Sequence, residues 1–372
     1  DKEKALLNMM KKVEGSYAIA IMFDDELDTI YAVKKNSPLI LAEKDDNYFL
    51  ASDVAAILKY TNKYYILDKG EIAKLSKNGL IIRNENLDII KKDINVYSGT
   101  TSDIMKNGYP HFMLKEIHDE IDVYQNIINT YLPHYNILEL EKNFGDFSKY
   151  EKISIVGCGS AYHAGMAVSD IFEELANIPT NVIMASEYRY KKIFPNNKEL
   201  VILISQSGET ADTLEALRIA KQNKMDTLGI INVLSSSIAR ESKYLIYSLA
   251  GYEIAVATTK AYLSQVLILT LLAILMAYQK QLIEEKDANN LLLNLKDVMK
   301  DTKEILDNQE NYHDIAKDLK KEREMFFIGR NKDFSLCMEA SLKMKEISYI
   351  HSEAYAAGEL KHGTISLIEE NT

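Results

Sequence analysis

The feature that most constrains this chain is a rhythm: an apolar strand, a turn of small polar residues, then a helical pattern. Lys152-Ile153-Ser154-Ile155-Val156 runs into Gly157-Cys158-Gly159-Ser160, and helical spacing follows from about 162 to 176. Residues 200–204 run into Ser205-Gln206-Ser207-Gly208-Glu209-Thr210, with a helix to about 222. Three more short apolar runs lie at 180–185, 227–233 and 245–248. Strands alternating with helices read as βαβ units on a parallel sheet, an α/β fold. Met325-Phe326-Phe327-Ile328-Gly329-Arg330, followed by a helix from 336 to about 350, echoes the first unit. Two copies of one unit explain the echo, the first over roughly 145–285 and the second from near 320 onward.

The first 90 residues have another texture. Leu6, Leu7, Met10 and Val13 repeat at helical spacing, and Gly15 stops the helix. Residues 17–23 read as a buried strand. Short strands follow at 29–33, 39–42, 48–51, 64–67, 72–75 and 80–82, separated by turn signals such as Asn36-Ser37-Pro38 and Lys77-Asn78-Gly79. This part is mostly antiparallel β. Residues 95–110, with Ser98-Gly99-Thr100-Thr101-Ser102, are the linker candidate, and 113–131 read as one helix. The apolar run 266–278 is shorter than the about 20 residues a membrane span needs and reads as a buried helix. The chain starts without Met inside a helix pattern and stops after an apolar run that reads as a strand. Both ends look like cuts in a longer chain, and no signal peptide is visible.

Composition narrows the partners. Lys plus Arg is 44 against 55 Asp plus Glu, a net charge of −11, which argues against a general nucleic-acid binder. Cys158 and Cys337 are the only cysteines: no disulfide framework and too few for a zinc cage. A reduced, cytosolic setting fits, with no membrane partner.

The chemistry concentrates in three places. The 205–210 hexapeptide follows a strand and opens a helix, so hydroxyls, a flexible Gly and free N–H groups make an anion site suited to a monoester phosphate. Without a Lys it is no nucleotide-triphosphate loop; the bland reading is an ordinary N-cap with a capping box. Cys158, between two glycines with no base beside it, reads as a small buried residue in a tight turn. Late in the chain, Glu339, Lys343 and Glu346 share one helix face, and His362 sits in a Gly-bounded loop. The bland reading there is a solvated charged face. A Glu base and a His near a phosphate site suggest enolisation of a sugar phosphate.

These residues are recognisable. Segments 205–213, 345–362 and His-Phe-Met-Leu-Lys-Glu-Ile at 111–117 closely resemble the isomerising glutamine–fructose-6-phosphate aminotransferases, over essentially the whole chain. The resemblance implies a SIS-type parallel sheet flanked by helices, one full and one partial copy, preceded by the C-terminal part of an α+β N-terminal-nucleophile glutaminase domain. The implied boundaries are 1–95 for the glutaminase part, 96–144 for the linker and its helix, 145–285 for the first SIS subdomain and 286–372 for the start of the second. The implied reaction takes fructose 6-phosphate and glutamine to glucosamine 6-phosphate in hexosamine biosynthesis, in the cytoplasm, with no metal or organic cofactor.

The roles carry over residue by residue. Ser205, Gln206, Ser207 and Thr210 resemble the phosphate cradle, and Gly159 and Ser160 the turn that lines the sugar. Val256 and Thr258 match residues along the sugar chain. Glu346 resembles the base between C1 and C2, and Lys343 and Glu339 its supporting pair. His362 resembles the ring-opening residue, which a neighbouring subunit of a homodimer supplies. Asp53 matches the carboxylate that holds the amino group of glutamine. Ala161 stands where a hydroxyl is usual and Thr364 where Pro is usual. The resemblance puts the nucleophilic Cys, the glutamine-binding Arg and Thr and the gating Trp before Asp1, and the imine-forming Lys beyond Thr372. The chain alone is therefore expected to lack both activities. The other readings are a different SIS isomerase or deglycase on aminosugar phosphates, or a non-catalytic sugar-phosphate binding module.

Overall fold

The computed structural model describes residues 1–35, 37–97, 105–234 and 236–369. Ser98-Gly99-Thr100-Thr101-Ser102, at the centre of the expected linker, lies outside them. The chain divides into two compact units, Asp1–Met105 and Lys106–Thr372.

In the first unit, α1 (Lys2–Met10) is capped by the Asp1 carboxylate, which accepts from Lys4 N at 3.3 Å. One antiparallel sheet holds β1 (Tyr17–Phe23), β2 (Glu26–Lys35), β6 (Ile72–Ser76), β7 (Gly79–Arg83) and β8 (Ile89–Ile90), in the order β1-β2-β6-β7-β8. A second holds β4 (Asn47–Ala51), β3 (Ile40–Lys44), β5 (Lys63–Ile66) and β9 (Asn95–Val96), in that order. Leu41, Leu67, Ala73 and Ile82 share the core between them. β1 corrects the expectation of a buried strand. It is an edge strand covered on one face only, so its residues alternate and Met22 is exposed.

The second unit opens with α2 (Phe112–His118) and α3 (Glu120–Tyr131). The single helix expected over 113–131 is broken at Asp119, whose backbone stays right-handed but slackens to ψ −14°. After α4 (Ile137–Phe144) come β10 (Lys152–Gly157), α5 (Ser160–Ala176), β11 (Thr180–Met184), α6 (Ala185–Tyr188), β12 (Glu199–Ser205), α7 (Ala211–Gln222), β13 (Asp226–Ile231), α8 (Ser237–Glu241) and β14 (Tyr244–Tyr247). The five strands form one parallel sheet in the order β11-β10-β12-β13-β14. β12 is central and every residue in it is buried, which is why it reads as an unbroken apolar run.

Helices cover both faces. Val156, Val201, Leu203, Leu214 and Leu217 fill one interface. Ile155, Ile202, Phe172 and the length of α9 (Lys260–Gln279) fill the other. α9 is long and apolar enough to cross a membrane by length and composition, yet most of it is buried against α3, α4, α5 and α10 (Glu285–Asp307). α11 (Gln309–Leu319) leads to β15 (Glu324–Gly329), α12 (Lys332–Ser348) and β16 (His351–Ala356), with β15 and β16 paired in parallel. β16 escaped the sequence reading because His-Ser-Glu-Ala-Tyr-Ala is polar; its pairing comes from β15. The closing apolar run is a 3-10 turn over Thr364–Leu367, not a strand.

Candidate active site

In open α/β sheets ligands gather beyond the C-terminal ends of the strands. β10 and β12 are neighbours in the sheet, and each ends in one of the turns singled out by sequence. After β12 the 205–210 loop folds back on itself. Ser205 Oγ accepts from Gly208 N at 3.0 Å and shares a hydrogen bond with Thr210 Oγ1 at 2.8 Å, and Ser207 Oγ accepts from Glu209 N at 3.1 Å. Gly208 has φ +66°, and a Cβ there would lie 2.0 Å from Ser236 Oγ, so only glycine fits. Thr210 is the N-cap residue of α7 and no side chain caps the helix. Glu209 is used elsewhere: its Oε1 accepts Ser237 N at the start of α8, at 2.7 Å. The ordinary capping box is thus not what the hexapeptide forms. The first N–H groups of α7 are left for an anion, and buried Gln206 Oε1 has no hydrogen-bond partner among the described residues.

After β10, Gly159 takes φ +53° and starts α5, with Leu342 of α12 at 3.9 Å from its Cβ position. That approach brings α12 across the mouth of the turn. Ser160 Oγ donates to Glu339 Oε1 at 2.7 Å, and His163 Nδ1 donates to Glu339 Oε2 at 2.7 Å. Lys343 Nζ lies 3.4 Å from Glu339 Oε1 and 2.6 Å from Glu346 Oε2. Burial would push the Glu339 carboxyl up, but the hydrogen bonds from His163 and Ser160 and the charge of Lys343 outweigh it and hold it below its ordinary value. Glu339 is therefore an ionised, buried anchor. Glu346 stands at the more open end of this chain of contacts, its side chain 29% exposed. Tyr262 of α9 faces the same carboxylate; burial first, then the Glu339 charge, push its phenol well up.

Val256 and Thr258 lie in the stretch before α9. Val256 is 96% exposed, and Thr258 Oγ1 donates to Glu253. Glu253 also accepts Thr259 N at 2.8 Å and Ala261 N at 3.3 Å. Glu116 of α2, 1% exposed, accepts Ile254 N at 2.5 Å and Ala255 N at 3.2 Å. Two carboxylates therefore fix the segment that carries both candidates. Glu120 faces Glu253, and burial, with the Glu253 charge second, pushes it up to about 7.

Ser160, Glu339, Lys343 and Glu346 are thus brought together, and Ser205, Gln206, Ser207 and Thr210 form the neighbouring loop. His362 is not at this site. It sits exposed in the turn after β16, with its N–H on Glu359 O at 2.8 Å. Asp53 belongs to the first unit, where its Oδ1 accepts Ala55 N at 2.8 Å. Ala161 packs against the apolar core, and Thr364 Oγ1 donates to Leu360 O at 3.0 Å. Sequence reasoning missed His163, Glu116 and Glu253. For His163 a signal existed: it follows Ser160 by three residues, one turn along the same face of α5. Glu116 lay inside a quoted motif without a role.

Known proteins resemble this chain. The SIS domain family matches residues 146–275 and 318–372. The glutamine–fructose-6-phosphate aminotransferase (isomerising) of Clostridium tetani is 41% identical over 372 residues, covering 99% of this chain and 61% of that protein. The protein of the same description from Caldanaerobacter subterraneus is 41% identical over 378 residues, with the same two shares. This chain spans about 61% of the length of these curated relatives. Among solved structures, the C-terminal domain of glucosamine-fructose-6-phosphate aminotransferase from Francisella tularensis is similar at TM-score 0.69 and 36% identity, over 72% of this chain and 76% of that one.

Proposed function

This chain belongs to the isomerising glutamine–fructose-6-phosphate aminotransferase family and carries its SIS domain, and on that premise we propose that it performs the sugar-phosphate half of that reaction. Fructose 6-phosphate binds with its phosphate on the 205–210 loop, held by Ser205, Gln206, Ser207 and Thr210 and by the N-terminal N–H groups of α7. Binding energy collected at the phosphate, remote from the reacting carbons, orients C1 and C2. Gly159 and Ser160 line the sugar from the β10 turn, and Val256 and Thr258 from the 253–259 segment. Glu346 moves the proton between C1 and C2, a transfer that contributes about 10²–10⁴-fold in enzymes generally. Lys343 stands beside it, with its Nζ 2.6 Å from Glu346 Oε2.

The first unit is the C-terminal part of the glutaminase, with Asp53 on the amino group of glutamine. The reaction runs in the cytoplasm, in a homodimer, with His362 of one copy opening the sugar ring in the other; its exposed position in this chain supports that reading. The observation that carries the proposal is the linked series Ser160–Glu339–Lys343–Glu346, running from a buried to an open end, with an uncapped helix start after the neighbouring strand. The test is to give the full-length protein that carries this chain fructose 6-phosphate with glutamine, and separately with ammonium. Glucosamine 6-phosphate is expected from both, and from neither after Glu346→Gln. If the intact protein forms no aminosugar, or if Glu346→Gln leaves the rate unchanged, the proposal falls.

A further inference from the structure

His163 has no part in the roles assigned above, yet it makes a buried polar contact in the heart of the site. Its side chain is 12% exposed and that of Glu339 is 9% exposed. Glu339 has two oxygens. Oε1 takes the Ser160 hydroxyl at 2.7 Å and Oε2 takes His163 Nδ1 at 2.7 Å. With both oxygens satisfied by neighbours on α5, Glu339 holds Lys343 only at 3.4 Å, and the ammonium lies 2.6 Å from Glu346 instead. One cation stands between two carboxylates of one helix, three and four residues away, and a second helix decides which of them it serves.

We propose that His163 is a positioning residue that holds Lys343 on Glu346 by occupying the far oxygen of Glu339. The argument is one of supply. A buried carboxylate oxygen stripped of its donor carries a desolvation cost, and the nearest mobile donor is the Lys343 ammonium, one turn along α12. Without His163, Lys343 moves onto Glu339. Glu346 then loses the opposite charge beside it, and its proton is held more tightly. The charged and titratable groups facing this cluster are His163 from α5, Tyr262 from α9, and Glu339, Lys343 and Glu346 from α12. Among the described residues, His163 is the donor that reaches Glu339 Oε2 from outside α12.

That Glu346 is the proton carrier rests on the function proposed above; the positioning does not, and the experiment separates them. In the full-length protein that carries this chain, with ¹³C-carboxyl-labelled glutamate and the Glu346 signal assigned by Glu346→Gln, the titration midpoint of Glu346 is followed by NMR. His163→Ala is expected to raise it by about one pH unit, the lower end for loss of an adjacent opposite charge. His163→Asn, whose amide nitrogen can take the place of Nδ1, is expected to restore it. Lys343→Met is expected to raise it too, and His163→Ala is expected to add nothing on that background. An unmoved midpoint in His163→Ala, or an undiminished shift when Lys343 is already gone, overturns the proposal. Should His163→Ala lose its fold by circular dichroism, His163→Leu, which keeps the volume without the donor, takes its place in the same test. In the full-length protein the acid limb of the rate profile is expected to move with the midpoint while KM for fructose 6-phosphate holds. An inactive wild type would refute the proposed function and leave the NMR result to decide the positioning.

Discussion

Two strand-turn-helix units in this chain share a backbone and divide the work. The residue before α5 is Gly159 at φ 53°, ψ −127°; the residue before α12 is Asn331 at φ 52°, ψ −124°. Both helices run 17 residues and both end on a left-handed residue, Asn177 and Tyr349. At both strand ends a side chain is shut out. A Cβ on Gly157 would lie 2.9 Å from Ala161 C, and one on Gly329 would lie 2.5 Å from Asp333 C. The chemistry differs. The first copy presents its turn to the proposed sugar site, with Ser160 as the first helical residue. The second presents the body of its helix, Glu339, Lys343 and Glu346, while its own turn carries Lys332, paired with Glu174 at 2.9 Å. The two units share the steric rules of the turn and differ in the side chains they present.

The sharpest way to break this comparison is to violate the shared steric rule. Gly157→Ala and Gly329→Ala each force a methyl into backbone, and overpacking of this kind costs about 1–3 kcal/mol. Because β10 lies inside a five-stranded sheet and β15 in a two-stranded one, Gly157→Ala is expected to lower the urea midpoint of the second unit. Gly329→Ala is expected to speed hydrogen exchange in β15 and β16 with little change in that midpoint. Equal loss of midpoint in both would mean that the two copies unfold as one, against the division drawn here.

The next test trades the turn residues. Asn331→Gly relieves a non-glycine residue at positive φ and is expected to stabilise by about 0.5–1 kcal/mol, whereas Gly159→Asn is expected to cost about 1–2 kcal/mol. Thermal melts of both variants check the pair, and a neutral Gly159→Asn would deny the equivalence of the turns. The smallest effect belongs to Lys332→Ala. Its pair with Glu174 is 44% and 57% exposed, so denaturant unfolding is expected to change by under about 0.5 kcal/mol.

Much of the architecture was legible in sequence because the parallel sheet is buried on both faces and its strands are written as unbroken apolar runs. β16 was not legible, since two strands at the margin of a small sheet need no apolar stretch, and the edge strand β1 looked more buried than it is. In the site, Ser160, Glu339, Lys343 and Glu346 could be named beforehand because Gly turns and helical spacing mark them. Glu116 and Glu253 could not, and His163 shows only as the residue one turn after Ser160, since its partner Glu339 lies 176 residues away. Glu116 anchors backbone 138 residues away, and no local pattern announces that.

α9 has a consequence for how the protein is made. Its apolar surface is answered mainly by α3, α4 and α5, all of which precede it, with α10 following. As the chain leaves the ribosome, N-terminal segments emerge first, so a docking groove can already stand when this helix appears. The order of the segments along the gene thus shortens the time in which a stretch apolar enough for a bilayer is left in water.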